Sequence, residues 1–299
     1  MVEKNTKDEI INVSSNTEKA IKARNRKETT KKIFAKGYMW LILLLMYLPI
    51  LVLVIYSFTE SDQLGVWTGF SFNLYHKLFK NQSLMTATRN TLIIAIVSAV
   101  LSTILGTMGA IGVFYSKKRS KKIVETFTQL PVVNAEIVMA LSLAILFKVL
   151  QTSYSFATLL VGHMVLTVAF VYLNVKPKLM QMDPNIYEAA LDLGATPWYS
   201  LFKVVLPEIL PGIFSGFLIS ITLSLDDFVI TQYLKEPSFE TISTYIQKIV
   251  AKHPIPAEVR ALSTILFVVV LSFRLYYSAF LPSITFQVHG IACTWNNHL

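Results

Sequence analysis

Three carboxylates stand in stretches that are otherwise apolar. Glu136 follows Leu130-Pro131-Val132-Val133-Asn134-Ala135, and Asp226-Asp227 follows Thr222-Leu223-Ser224-Leu225. An ionisable side chain inside a membrane costs roughly 2.5–3.5 kcal/mol, so it persists where it lines a polar path or meets a partner. Adjacent residues on a helix point ~100° apart. One aspartate can therefore face a path while the other caps or pairs within the bundle, for which Arg89 and Arg274 are candidates. The chemistry on offer is attraction of a cation rather than bond making. Trp67, in a segment with Phe70, Phe72 and Tyr75, adds a ring face for cation–π contact or an anchor at the membrane interface. Motifs for covalent work are missing: there is no G-x-x-x-x-G-K-[ST] loop, no H-E-x-x-H pair and no G-x-S-x-G elbow. His76, His163, His253 and His298 are scattered, and the one cysteine, Cys293, excludes an internal disulfide and a Cys-based zinc site. The chain reads as a non-enzyme that binds no cofactor and no metal of its own.

The elements that must hold these acids are membrane spans. Of 299 residues, 54% are hydrophobic and 15% charged, and the mean hydropathy is +0.54. A soluble domain is nearer a quarter charged. Crossing a bilayer takes ~20 helical residues. Six stretches qualify: Met39 to Phe58, one within Ala87 to Tyr115, Val132 to Leu150, Phe156 to Val175, Ile209 to about Tyr233, and Ala261 to about Leu281. Pro49 predicts a kink in the first. Gly106, Gly109 and Gly112 predict close helix packing in the second. Asp226 lies ~22 Å along the fifth from Pro211, in its outer half, and Glu136 lies near the cytoplasmic end of the third. Between the first two spans, the aromatic-bearing segment from Thr59 to about Met85 reads as an external loop with room for an interfacial helix. Six spans put both termini on one side. With that side cytoplasmic, eighteen Lys and Arg fall inside and five outside, the positive-inside pattern. The net charge of +9 is thus a membrane signal, not a nucleic-acid one. The domain plan is a cytoplasmic tail at 1–38, a transmembrane domain at 39–281 and an atypical tail at 282–299, with no Lys or Arg after Arg274.

Between the fourth and fifth spans lies a polar loop, 183–207, that reads as two short helices joined at a glycine. Asp183 caps the first, Pro184 fits its first turn, Gly194 suits a left-handed end, and Thr196-Pro197 repeats the cap-and-start pair. Ile186, Ala189, Ala190 and Leu193 share one face; Trp198, Leu201, Phe202 and Val205 share another. The orientation puts this hairpin on the cytoplasmic surface.

Glu188-Ala189-Ala190, Gly194 and Leu206-Pro207 resemble the EAA loop of binding-protein-dependent ABC importer permeases. Thr222 to Ile230, Pro237 to Thr241 and Leu130 to Met139 are similar to the second membrane subunit of spermidine/putrescine importers. The resemblance runs from about Trp40 to Val270 and implies a type I importer permease: all-α, six transmembrane helices, multi-pass in a bacterial cytoplasmic membrane, with a coupling-helix hairpin. It implies a second homologous permease subunit, two ATPase subunits that hold ATP and Mg, and an external polyamine-binding protein. Carried over residue by residue, it makes Ser224, Asp226, Asp227 and Glu136 transport-path candidates beside Trp67. Glu188, Ala189, Ala190, Gly194, Leu206 and Pro207 become the ATPase-coupling set. Other readings are a permease for another cation or small solute, an ion-coupled carrier with carboxylate proton relays, and a non-transporting membrane scaffold.

Overall fold

The computed structural model describes residues 34–275 apart from 35, 62–65, 184, 252–255 and 273–274. Pro184, Arg274, His253, His298, Cys293, the end of the sixth span and the tail at 282–299 lie outside the described residues, as does the N-terminal tail up to residue 33. The chain forms two compact units, Met1–Leu74 and Tyr75–Leu299.

In the first unit, helix α1 (Lys36–Tyr56) has 21 residues and the apolar length to cross a membrane. It runs through Pro49 and ends two residues before the expected Phe58. An aromatic knot follows. Phe58 stacks on Phe70 at 5.4 Å, Phe72 meets both edge-on, and Thr59 bridges to Phe70. Trp67 sits edge-on to Tyr56 at 6.4 Å. The sequence passes to the second unit within α2 (Asn73–Lys80), a short amphipathic helix in the segment read as an external loop.

The second unit is built on three long helices. Helix α3 (Gln82–Phe114) starts at Asn81, whose side chain accepts from Leu84 N. Helix α6 (Phe156–Gln181) starts at a Ser155–Thr158 capping box. Helix α9 (Leu206–Asp226) continues a helical stretch that begins at Pro197. They close around Val171: a Cβ on Gly106 would sit 2.7 Å from the Val171 Cβ, and one on Gly216 3.1 Å from its Cα. Small residues let the backbones meet there. The expected packing stripe shrinks to one member, because nothing lies within 4 Å of a Cβ built on Gly109 or Gly112.

Two expected spans are broken. The basic run Lys117–Lys122 opens a helix, α4 (Lys118–Val133), instead of a loop, and the third span is α5 (Glu136–Val149) with a 107° bend between them. Pro131 cannot donate into the α4 ladder, and Asn134 and Ala135 are extended (ψ 148° and 132°), so the path turns there. The fifth span stops at Asp226, and a six-residue helix, α10 (Val229–Leu234), follows the break. Ile94, Ala140, Leu159, Ile230 and Leu234 form the core that holds α3, α5, α6 and α10 together. Helix α11 (Ile242–Val250) begins where Thr91 of α3 accepts from Ile242 N at 2.8 Å. On it Lys248 reaches Glu240 at 2.6 Å, a bond that holds the ammonium above its ordinary range. The last helix covers residues 258–272. Among the described residues four helices have membrane-crossing length and apolarity, five with the bent pair.

Candidate functional site

The break after α9 is where the polar side chains converge. Asp226 ends the helix and is exposed; Asp227 is 4% exposed. The backbone of Asp227 is extended (ψ 125°), which turns its carboxylate back over the start of α10. There Oδ1 accepts from Ile230 N at 3.1 Å, and Oδ2 accepts from Thr231 N at 2.8 Å and Thr231 Oγ1 at 2.6 Å. Asp227, one residue before the N-cap Phe228, thus takes up free N–H groups in the first turn of α10, where the helix dipole favours a negative charge.

His163 of α6 completes the arrangement. Its Nδ1 lies 2.7 Å from Ser224 Oγ, its Nε2 3.1 Å from Thr231 Oγ1 and 3.4 Å from Asp227 Oδ2. Thr231 gives its one hydroxyl hydrogen to Asp227, so at the His163 contact it accepts, and Nε2 carries the proton. Nδ1 is then the acceptor for Ser224. Ser224 in turn accepts from Ser98 of α3 at 3.1 Å. One chain of bonds, Ser98 to Ser224 to His163 to Thr231 to Asp227, ties four helices, and Ser98 Oγ also lies 3.2 Å from Ala95 O of its own helix. One turn further along α6, Thr167 and Ser102 of α3 add a 2.6 Å bond.

Glu136, the first residue of α5, meets the Asp227 carboxyl and lies within electrostatic reach of Asp226. Expected near the cytoplasmic end of the third span, it is set by the structure beside the break after α9. The bend at Asn134–Ala135 separates α4, where Glu125 bonds Lys176 of α6 at 2.8 Å, from α5, which starts beside the aspartates. Asp227 pairs with a histidine; of the candidate arginines, Arg89 is exposed on α3, beside Leu92 and Ile96, and Arg274 lies outside the described residues. Sequence reasoning passed over His163, Thr231 and Ser98. His163 did carry a signal, since a histidine in an apolar span is itself an intramembrane ionisable group. Trp67 belongs to the first unit and is half-exposed against Tyr56. Among the described residues no cluster of three His, Cys, Asp or Glu could hold a metal ion.

The second candidate region is the loop at 183–207. Asp183 Oδ1 accepts from Asn185 N at 2.9 Å and caps α7 (Asn185–Asp192). The helix ends with Gly194 at φ 86°, Gly194 N donating to Leu191 O and Ala195 N to Ala190 O, the Schellman pattern that satisfies the last carbonyls. Thr196 caps α8 (Pro197–Ser200) by accepting from Tyr199 N. This second helix is not a separate short element, as expected, but the first turn of the long helix that continues as α9. A π-helical turn, Leu201–Val205, carries it past Pro207 and Pro211, where missing N–H groups weaken a regular ladder. Val205 is buried, and Tyr187, Leu201 and Leu206 pack on the core of Val175, Leu179, Met182 and Ile209. Tyr187 also meets Tyr115 at the end of α3, ring centres 5.1 Å apart. Partial burial beside Tyr187 raises the Tyr115 phenol above its ordinary range. The outward face is apolar and open: Leu193 is 79% exposed, Trp198 72%, and Trp198 stacks on Phe202. Glu188, Ala189 and Gly194 are exposed on the same loop.

A family model described as "Binding-protein-dependent transport system inner membrane component" matches residues 102–285. The chain is 36% identical over 237 residues to the spermidine/putrescine transport system permease protein PotC of Haemophilus influenzae, covering 79% of this chain and 91% of that one. It is 34% identical over 228 residues to the putrescine transport system permease protein PotI of Escherichia coli, covering 74% and 81%. Among solved structures it is similar to a bacterial ABC transporter involved in the import of the acidic polysaccharide alginate, with TM-score 0.66, 20% identity, and 85% and 96% of the two chains covered. A methionine ABC transporter matches with TM-score 0.52 and 15% identity over 68% of this chain and 99% of that one. At those identities the structural likeness speaks to the fold alone.

Proposed function

This chain belongs to the binding-protein-dependent transport system inner membrane components, and from that premise we propose that its cargo is a polyamine, spermidine or putrescine. It is a permease subunit of an ABC importer: it catalyses no reaction and moves a small solute by alternating access. The observation that carries the cargo reading is that the exposed Asp226, at the end of α9, and the exposed Glu136, at the start of α5, share the break with Asp227. Clustered carboxylates beside a helix break concentrate negative potential and raise the local concentration of a cation. Relatives named as spermidine/putrescine permeases at 34–36% identity support the same reading. The fold does not choose the cargo, since a similar fold serves an acidic polysaccharide.

In this proposal Asp226 and Glu136 face the route, Ser224 and Asp227 back them from the buried side, and Trp67 offers a ring face to a cation. Six spans carry the chain across the membrane, the bent α4–α5 pair being the third, with both termini in the cytoplasm. The loop around Glu188, Ala189, Ala190 and Gly194 docks on one of two ATPase subunits through its open apolar face. Leu206 and Pro207 lead its motion into α9. A second permease subunit completes the route, and an external binding protein delivers the cargo.

The test is uptake of labelled spermidine into inside-out-corrected vesicles holding the assembled importer, with ATP supplied to the ATPase side. ATP-dependent uptake that unlabelled putrescine or spermidine suppresses is the expected result. Uptake that ignores excess polyamine would assign another solute, and uptake that needs only a proton gradient would end the importer reading.

A further inference from the structure

We propose that His163 is a positioning residue: it keeps Asp227 turned onto α10, so that Asp226 and Glu136 are the carboxylates that meet a cation. The inference rests on the acids being a cation route, and not on which cation travels it. Both oxygens of Asp227 accept from α10, through Ile230 N, Thr231 N and Thr231 Oγ1, the carboxyl also meets Glu136 at its edge, and the residue is 4% exposed. Asp226 and Glu136 are exposed. Six residues are too few for a helix to persist by itself, so α10 depends on the Asp227 carboxylate and on what lies beneath it. Beneath it is α6: a Cβ on Gly162 would collide with Leu234 and Ile230, and Thr158 Oγ1 donates to Leu234 O at 3.1 Å. At the other end of α10, the His163 ring fixes Thr231 and through it Asp227. The ring cannot swing away, because Ser224, itself held by Ser98, fixes Nδ1. The charged and titratable groups facing this cluster are Asp227 and Asp226 from the break and Glu136 from α5.

Two conservative substitutions separate the two ends of the ring. His163→Gln places an amide donor at the reach of Nε2, toward Thr231. His163→Asn reaches only as far as Nδ1, toward Ser224. If the ring merely fills space, the two variants behave alike. The proposal expects His163→Gln to keep uptake near wild type. It expects His163→Asn to lower maximal uptake by about tenfold with KM within about twofold, since a group that does not touch cargo leaves binding alone. A second readout does not depend on cargo identity. In the intact complex in lipid nanodiscs, amide hydrogen exchange over residues 228–234 should quicken by about tenfold in His163→Asn and stay at the wild-type rate in His163→Gln. Equal exchange in the two variants overturns the proposal even where polyamine uptake fails altogether. A raised KM with unchanged maximal rate in His163→Asn also overturns it, by placing His163 on the cargo.

Discussion

The break at Asp227 and the loop at Gly194 are built on opposite principles. At the break His163, Ser224, Thr231 and Asp227 are buried and polar, and each oxygen of Asp227 has its donor. At the loop the backbone is satisfied but the surface is apolar and open, with Leu193 and Trp198 facing outward. The first is complete within this chain, because a buried carboxylate without donors would carry the full cost of desolvation. The second is unfinished, because exposed apolar area of this kind is normally covered by a partner.

The largest effect expected from that contrast is at the loop. Gly194→Val forces a β-branched residue into φ 86°, a left-handed conformation that costs roughly 1–2 kcal/mol even for ordinary residues. The Schellman end should unwind and the docking face with it. The measurement is a pull-down through this chain: the ATPase subunits should be lost while the second permease subunit stays, and uptake should fall to background. Retained ATPase would mean that the loop does not dock it.

Next comes Asp226→Asn, which removes the exposed charge at the break with little change in shape. Uptake should fall by about tenfold, the scale of one lost charge–charge contact of ~1.4 kcal/mol, with all subunits still copurifying. Unchanged uptake would make the acid structural. Loss of the ATPase together with uptake would erase the contrast between the two regions.

The smallest effect lies between them, where α3, α6 and α9 close on Val171. Gly106→Ala introduces a Cβ 2.7 Å from the Val171 Cβ, an overpacking that costs about 1–3 kcal/mol. Thermal unfolding of the purified complex should start several degrees lower, with uptake and ATPase retention reduced in parallel. A change in one without the other would show that the two regions are less firmly joined through α6 than this packing implies.

What the sequence determined are properties carried by contiguous residues: apolar length, charge balance, and the caps and the glycine of the loop. Asp183, Gly194 and Thr196 act where residue type alone puts them, because a cap or a left-handed turn is decided within a few positions. The breaks were less legible. Pro131 was visible, but whether a helix bends at a proline depends on what packs around the weakened ladder. Which aspartate turns inward was invisible. That choice was made by His163 and Ser98, 64 and 129 positions away from Asp227 in the numbering. The cost of burying a carboxylate is recovered only where partners from other helices arrive, and their arrival is a property of the folded bundle.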